Sequence, residues 1–275
     1  MVTLFLPLAL TCYAISSAGF IADRAMGQMK WTGWAALTLA VGAIFHALDM
    51  VARGIQAGNL PVSNFAQSLS FLAWLIALIG LVLIVRSRMA IVGAFVGPMV
   101  TMAAAVAATM MRTAHLVLPA SLRSIWLPIH VTLALLGYSM FVLATAVSLI
   151  YLIFESRLKA KRAMRPANSD VPSLEKLDRI NYRLLGWGFL MLSLAIVSGA
   201  IWADATWGHF WSWEPVESWS LVIWILYAGL LESRLTVGWR GRRAAALTIV
   251  VFTILVGSFL GVSLTHSGKH GGSFG

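Results

Sequence analysis

The chain has 275 residues, 60% of them hydrophobic and only 11% charged, with a mean hydropathy of +0.85. An ordinary globular domain is about 25% charged, so this chain lacks the polar surface to cover a water-exposed globule and is too apolar to stay disordered. Its net charge of +10 therefore points to membrane topology before nucleic acid, and its single cysteine, Cys12, excludes an intrachain disulfide, a CxxC redox pair and a thiolate zinc site.

A membrane-spanning helix needs about 20 apolar residues. Eight stretches approach that length: residues 3–22, 31–50, 67–85, 89–111, 125–154, 184–203, 217–231 and 244–265. The first has neither the basic leading segment nor the small-residue cleavage site of a signal peptide, and reads as a span. The fifth is long and the seventh short, which tilt or helical extension past the bilayer accommodates. The expected fold is all-α: a polytopic integral membrane protein of about eight transmembrane helices, forming one domain over residues 1–275. Residues 155–183, which include Pro166 and Pro172, read as a polar cytoplasmic linker. Residues 202–219 read as an external tryptophan-rich loop.

Basic residues set the expected orientation. Sixteen of the 20 Lys and Arg fall in the odd-numbered connections, around Arg24, Arg86, Arg157 to Arg183, and Arg234 to Arg243. Arg53, Arg112, Arg123 and Lys269 fall on the opposite side. Cytoplasmic loops carry the excess, so both termini and loop 202–219 are expected outside. His46, His115, His130, His209, His266 and His270 all lie toward that outer side.

Six of the 12 tryptophans crowd into residues 202–224. An interfacial aromatic belt scatters its rings over many helix ends. Here Trp207, Trp211, Trp213 and Trp219 interleave with His209, Glu214 and Glu217, and no Lys or Arg occurs between Arg183 and Arg234. Indole rings make a flat apolar shelf with one N–H donor at the rim, a surface suited to a large planar ligand. Such a ligand together with histidines from separate outer segments suggests haem, whose iron takes neutral imidazole. His130, at the start of its span, and His270, after the last span, could clamp it from two faces. His46 and His115 read as structural. His266 and His270, four residues apart, would also suit a divalent metal on a continuous helix, but Gly268, Gly271 and Gly272 weaken that helix.

The run Trp207-Gly-His-Phe-Trp211-Ser-Trp213-Glu214-Pro-Val-Glu217-Ser-Trp219 resembles the WGxxWxWDPxExW "WWD" signature of the cytochrome c assembly family, which includes CcsA/ResC-type and CcmC-type members. Further resemblance lies in 59–64, in 118–131 leading into His130, in 238–244, and in the ending from Gly261 to His270. The resemblance implies System II cytochrome c biogenesis in a bacterial inner or thylakoid-type membrane. It implies haem transport and presentation beside a CcsB/ResB-type partner, and attachment of haem b, as substrate and bound ligand, to the CxxCH cysteines of an apocytochrome c. The chain would then be a subunit of a thioether-forming haem lyase. His130 and His270 match the family's outer axial ligands, with His266 as the alternative to His270. Trp207, Trp211, Trp213, Glu214 and Trp219, with His209 and His266 beside them, match its haem-holding surface. The chain departs from the family at Glu214 for Asp, at Gly268-Lys-His270-Gly for the usual ending, at Gln67 for Glu, and at Glu232 for an inner histidine. Glu232 reads either as an ion-pair partner of Arg234 or as a substitute at an inner haem site. The alternative function is a haem-binding chaperone or regulator without attachment activity.

Overall fold

The computed structural model describes residues 4–26, 30–58, 62, 64–111, 124–160 and 172–265. Among them run eight α-helices: α1 (Phe5–Met26), α2 (Thr32–Ala57), α3 (Phe65–Ser87), α4 (Ala90–Met111), α5 (Trp126–Lys159), α6 (Leu174–Trp207), α7 (Pro215–Leu235) and α8 (Arg242–Thr265). Backbone N–H and C=O groups have no water to bond inside a bilayer, so a spanning segment satisfies them within itself as a helix. Helices α1 to α6 are each long and apolar enough to cross a membrane. Helix α7 has the expected position, with Glu217 and Glu232 near its two ends. The chain is a polytopic helical membrane protein. Helix α1 is built into its bundle, with Tyr13 fully buried and Phe20 nearly so.

Two helices run well past the expected spans. α5 and α6 each have 34 residues, or about 50 Å at 1.5 Å per residue, against a hydrocarbon core of about 30 Å. The polar stretch 155–183 is therefore helical up to Lys159 and again from Leu174, while 161–171 lie outside the described residues. The added start of α6 is an amphipathic helix: Leu177, Ile180 and Leu184 are buried among Glu175, Lys176, Asp178, Arg179 and Arg183. The Ser173 side chain caps it by accepting the Lys176 N–H at 3.2 Å. Hydropathy averages the charges with the buried stripe and hides such a segment; its period reveals it.

Helices α5 and α6 form the most extensive pairing, and they are antiparallel. A Cβ on Gly137 would lie 3.1 Å from the Gly188 carbonyl oxygen, and one on Gly188 would lie 2.6 Å from the Phe141 ring. Small residues let membrane helices approach this closely, where dispersion does most of the holding. Nearer the basic end, Asn181 Nδ2 donates to the Ala144 carbonyl at 3.1 Å and to Ser148 Oγ at 2.8 Å.

The basic segments gather at one end of the bundle. There the Arg24 guanidinium lies 5.7 Å from the Phe154 ring centroid, Lys176 Nζ donates to the Ser87 carbonyl, and Arg242 lies 3.8 Å from Glu155. The opposite end carries the start of α5, the end of α6 and the start of α7.

Candidate functional site

His130 lies one turn into α5, and its ring rests on α6. Nδ1 is 2.8 Å from the Ala195 carbonyl oxygen. A carbonyl only accepts, so the proton sits on Nδ1 and the basic lone pair of the neutral ring is on Nε2. The ring stacks on Trp202 at 6.2 Å between centroids with 20° between planes. Trp202 is buried and meets the Trp207 ring at 5.0 Å. The aromatic row therefore begins inside α6: Trp202 and Trp207 occupy its last two turns, and the expected loop 202–219 is non-helical only over 208–214.

Gly208 ends α6 in the left-handed conformation at φ 78°, its N–H bonding the Asp204 carbonyl at 2.8 Å. Pro215 opens α7 at a position where no backbone N–H is needed. Glu214 precedes it as the N-cap residue, but its side chain makes no capping bond. Glu217 secures the segment instead. Its carboxylate accepts the Ser212 N–H at 2.7 Å and the Ser212 hydroxyl at 3.1 Å. A carboxylate in the first turn of a helix is also favoured by the helix dipole.

This tether folds Trp213 into a left-handed backbone at φ 58°, uncommon for any side chain but glycine. Trp213 is 72% exposed and packs edge-on to Trp211 at 5.9 Å. The Trp211 Nε1 is buried with no hydrogen-bond partner among the described residues. Phe210 and Trp219 are exposed as well. The segment thus has an inward aromatic side and an outward one. Trp224 belongs to the scaffold: its N–H donates to Ser193 Oγ at 2.8 Å and its ring lies 5.2 Å from Phe189.

The structure brings His130 to Trp202, Trp202 to Trp207, and Trp211 to Trp213. His209 is half-buried directly after the Gly208 cap. His115, His266 and His270 lie outside the described residues. His46 has the structural role expected of it. It is fully buried, with Tyr13 OH at 3.2 Å from Nδ1 and Ser70 Oγ at 2.8 Å from Nε2. Gln67 is buried at the start of α3, whose first turn the Asn64 side chain caps through the Gln67 N–H. The pairing of Glu232 with Arg234 is not made. Glu232 is exposed, whereas Arg234 is buried and turns to Asp178 at 2.8 Å. Residues two apart project to different sides of a helix, and here one side is solvent or lipid and the other is core. Sequence reading passed over Ala195 and Gly199, which receive the His130 ring, because nothing in spacing marks a carbonyl acceptor 65 residues away.

These residues fit haem. They supply an imidazole whose lone pair lies on Nε2, clustered indole rings, and a buried indole N–H with no acceptor among the described residues.

Comparison with known proteins agrees. The family profile described as Cytochrome C assembly protein matches residues 62–270. The cytochrome c biogenesis protein CcsA of Parasynechococcus marenigrum (strain WH8102) is 33% identical over 274 residues, covering 91% of this chain and 90% of that protein. The CcsA of Microcystis aeruginosa is 31% identical, covering 98% of this chain and 94% of the relative. The CcsA of Guillardia theta is 31% identical over 79% of this chain. Among solved structures, the cytochrome c haem lyase CcmF superposes with a TM-score of 0.69 at 16% identity, over 94% of this chain and 46% of that one, a likeness of fold. The signature around Trp207 to Trp219, the profile match and the CcsA identities converge: the chain belongs to the cytochrome c assembly family.

Proposed function

We propose that this protein acts in cytochrome c biogenesis, holding haem b at the end of the bundle opposite the basic segments and presenting it for attachment to the CxxCH motif of an apocytochrome c. The observation that carries this reading is the His130 ring, fixed through Nδ1 on the Ala195 carbonyl and stacked on Trp202. Haem supplies the two vinyl groups: each cysteine S–H adds across one of them, forming a C–S and a C–H bond with no net electron transfer. The protein supplies no nucleophile. Its part is orientation, which alone lowers the barrier of a bimolecular step substantially. His130 would ligate the iron from one side, and His270, or His266 four residues earlier, from the other. Trp207, Trp211, Trp213 and Trp219 hold the ring, and Glu214 and Glu217 bound the segment that carries them. A CcsB/ResB-type membrane protein is the partner for delivery and attachment, and the bilayer is a bacterial inner or thylakoid-type membrane.

An absorption spectrum of the purified full-length protein tests this. Haem should copurify and, reduced, show the split bands of a low-spin iron with two nitrogen ligands. Co-expression with a CcsB/ResB-type partner should raise occupancy. Haem-free protein under both conditions overturns the reading. Bound haem, with normal cytochrome c attachment in cells lacking the chain, would leave the chaperone alternative.

Orientation follows from the positive-inside bias, which places the basic end in the cytoplasm. Reporter fusions at Asp170 should read cytoplasmic and fusions at Asp204 external. A cytoplasmic signal at Asp204 would put His130 and the tryptophans in the wrong compartment.

A further inference from the structure

We propose that Gly199 is a positioning residue for His130: its missing side chain bares the Ala195 carbonyl and thereby fixes both the place and the tautomer of the imidazole. On a helix, residues four apart lie over one another, and each Cβ leans toward the N-terminal end. A side chain at 199 would therefore cover the carbonyl of residue 195. With glycine there, the His130 ring enters the gap. A Cβ built on Gly199 would stand 2.7 Å from His130 Cε1 and 2.7 Å from Nδ1, far inside van der Waals contact. The ring has no inexpensive retreat. Moving away lengthens the 2.8 Å bond from Nδ1 to the Ala195 oxygen, and swinging about χ disturbs the stack on Trp202.

Other glycines of the bundle act differently. Gly137 and Gly188 bring backbones together, while a Cβ on Gly186 or Gly229 would meet nothing within 4 Å. At Gly199 the missing side chain makes room for a histidine. Once Nδ1 is committed to the carbonyl, the ring offers Nε2 as its basic nitrogen. Second partners of this kind fix the tautomer and orientation of metal-bound histidines generally. The consequence for iron rests on the haem reading above; the steric and tautomeric relation between Gly199 and His130 does not.

The test is a cycle of Gly199→Ala, His130→Ala and the double variant in the full-length protein, with Gly186→Ala as control on the same helix. Alanine is the better helix former, so Gly186→Ala should leave the unfolding midpoint unchanged or raised. Gly199→Ala should lower the midpoint in the wild-type background and leave it unchanged or raised once the His130 ring is gone. In ¹⁵N-histidine spectra of haem-free protein, the signal lost in His130→Ala should report an Nδ1–H tautomer. In Gly199→Ala it should shift toward the other tautomer or a mixture. With haem, Gly199→Ala should lose or shift the spectrum.

A drop in midpoint that is equal in both backgrounds overturns the proposal, and so does an unchanged tautomer. Coupled midpoints and a changed tautomer with an unaltered haem spectrum would uphold the positioning role and defeat the ligand assignment instead. Where Gly199→Ala alone does not accumulate, a folded double variant supports the steric relation, and an unfolded one overturns it.

Discussion

His130→Gly is expected to abolish or shift the haem spectrum, and millimolar imidazole to restore much of it. The Ala195 carbonyl, the Trp202 ring and the gap over Gly199 all hold the ring in place. Removing it leaves a slot shaped for an imidazole, with the Ala195 carbonyl ready to accept the N–H of the added molecule. Loss of an axial imidazole from a two-nitrogen iron changes its spin state, so the effect is qualitative. The control is His46→Gly. That ring is fully buried between Tyr13 and Ser70, and its removal strands two hydroxyls beside a cavity. Such a change costs on the order of 2–5 kcal/mol, and should lower protein yield and unfolding midpoint without an imidazole-dependent spectrum. If His46→Gly and His130→Gly behave alike, and neither responds to imidazole, His130 is structural. The tail has its own discriminator. Loss on His270→Gly assigns the second ligand there, whereas loss on His266→Gly with none on His270→Gly moves it four residues back.

Asp178→Ala is expected to destabilise the protein by about 3–5 kcal/mol, the usual result of leaving one partner of a buried ion pair unpaired. The Arg234 side chain is 5% exposed. Its guanidinium donates to the Asp178 carboxylate at 2.8 Å, to the Asp178 carbonyl at 3.2 Å and to Asn181 Oδ1 at 3.1 Å. It also lies 5.1 Å from the Tyr182 ring centroid. The other Asp178 oxygen accepts the Gly241 N–H at 2.9 Å, and Asn181 Nδ2 reaches Ala144 and Ser148. The network joins α5, α6, α7 and the entry to α8. Without the carboxylate, Arg234 keeps a charge in the core with two neutral acceptors, and the Gly241 N–H loses its partner. The measurement is the unfolding midpoint and yield of the purified protein. Asp178→Asn should cost less, because one side-chain oxygen remains to accept either from the guanidinium or from the Gly241 N–H. The double variant Asp178→Ala, Arg234→Met should recover much of the loss by removing the stranded charge. A single Asp178→Ala variant as stable as wild type would show that the clasp adds nothing to the fold. Because the network lies at the basic end, haem bound by surviving folded protein should be unchanged.

Much of this molecule is legible in its residues alone. Apolar runs of about 20 residues leave the backbone no choice but helix in a bilayer, and the helices stand where those runs lie. The crowd from Trp202 to Trp224 is visible in the sequence and marks the end of the bundle at which the His130 ring lies on Trp202. Tertiary structure decided the rest. That Trp202 and Trp207 belong to α6, and that α6 begins at Leu174, depends on a buried stripe that mean hydropathy averages away. That Arg234 chooses Asp178 over Glu232 depends on which side of α7 meets α6. That His130 is poised through Nδ1 depends on the register in which α5 crosses α6, set by Gly137, Gly188 and Gly199. Composition and period report a residue's own preference for apolar surroundings and for helix. Register, partner and tautomer are properties of pairs far apart in the chain, and they exist only once the two helices are packed together.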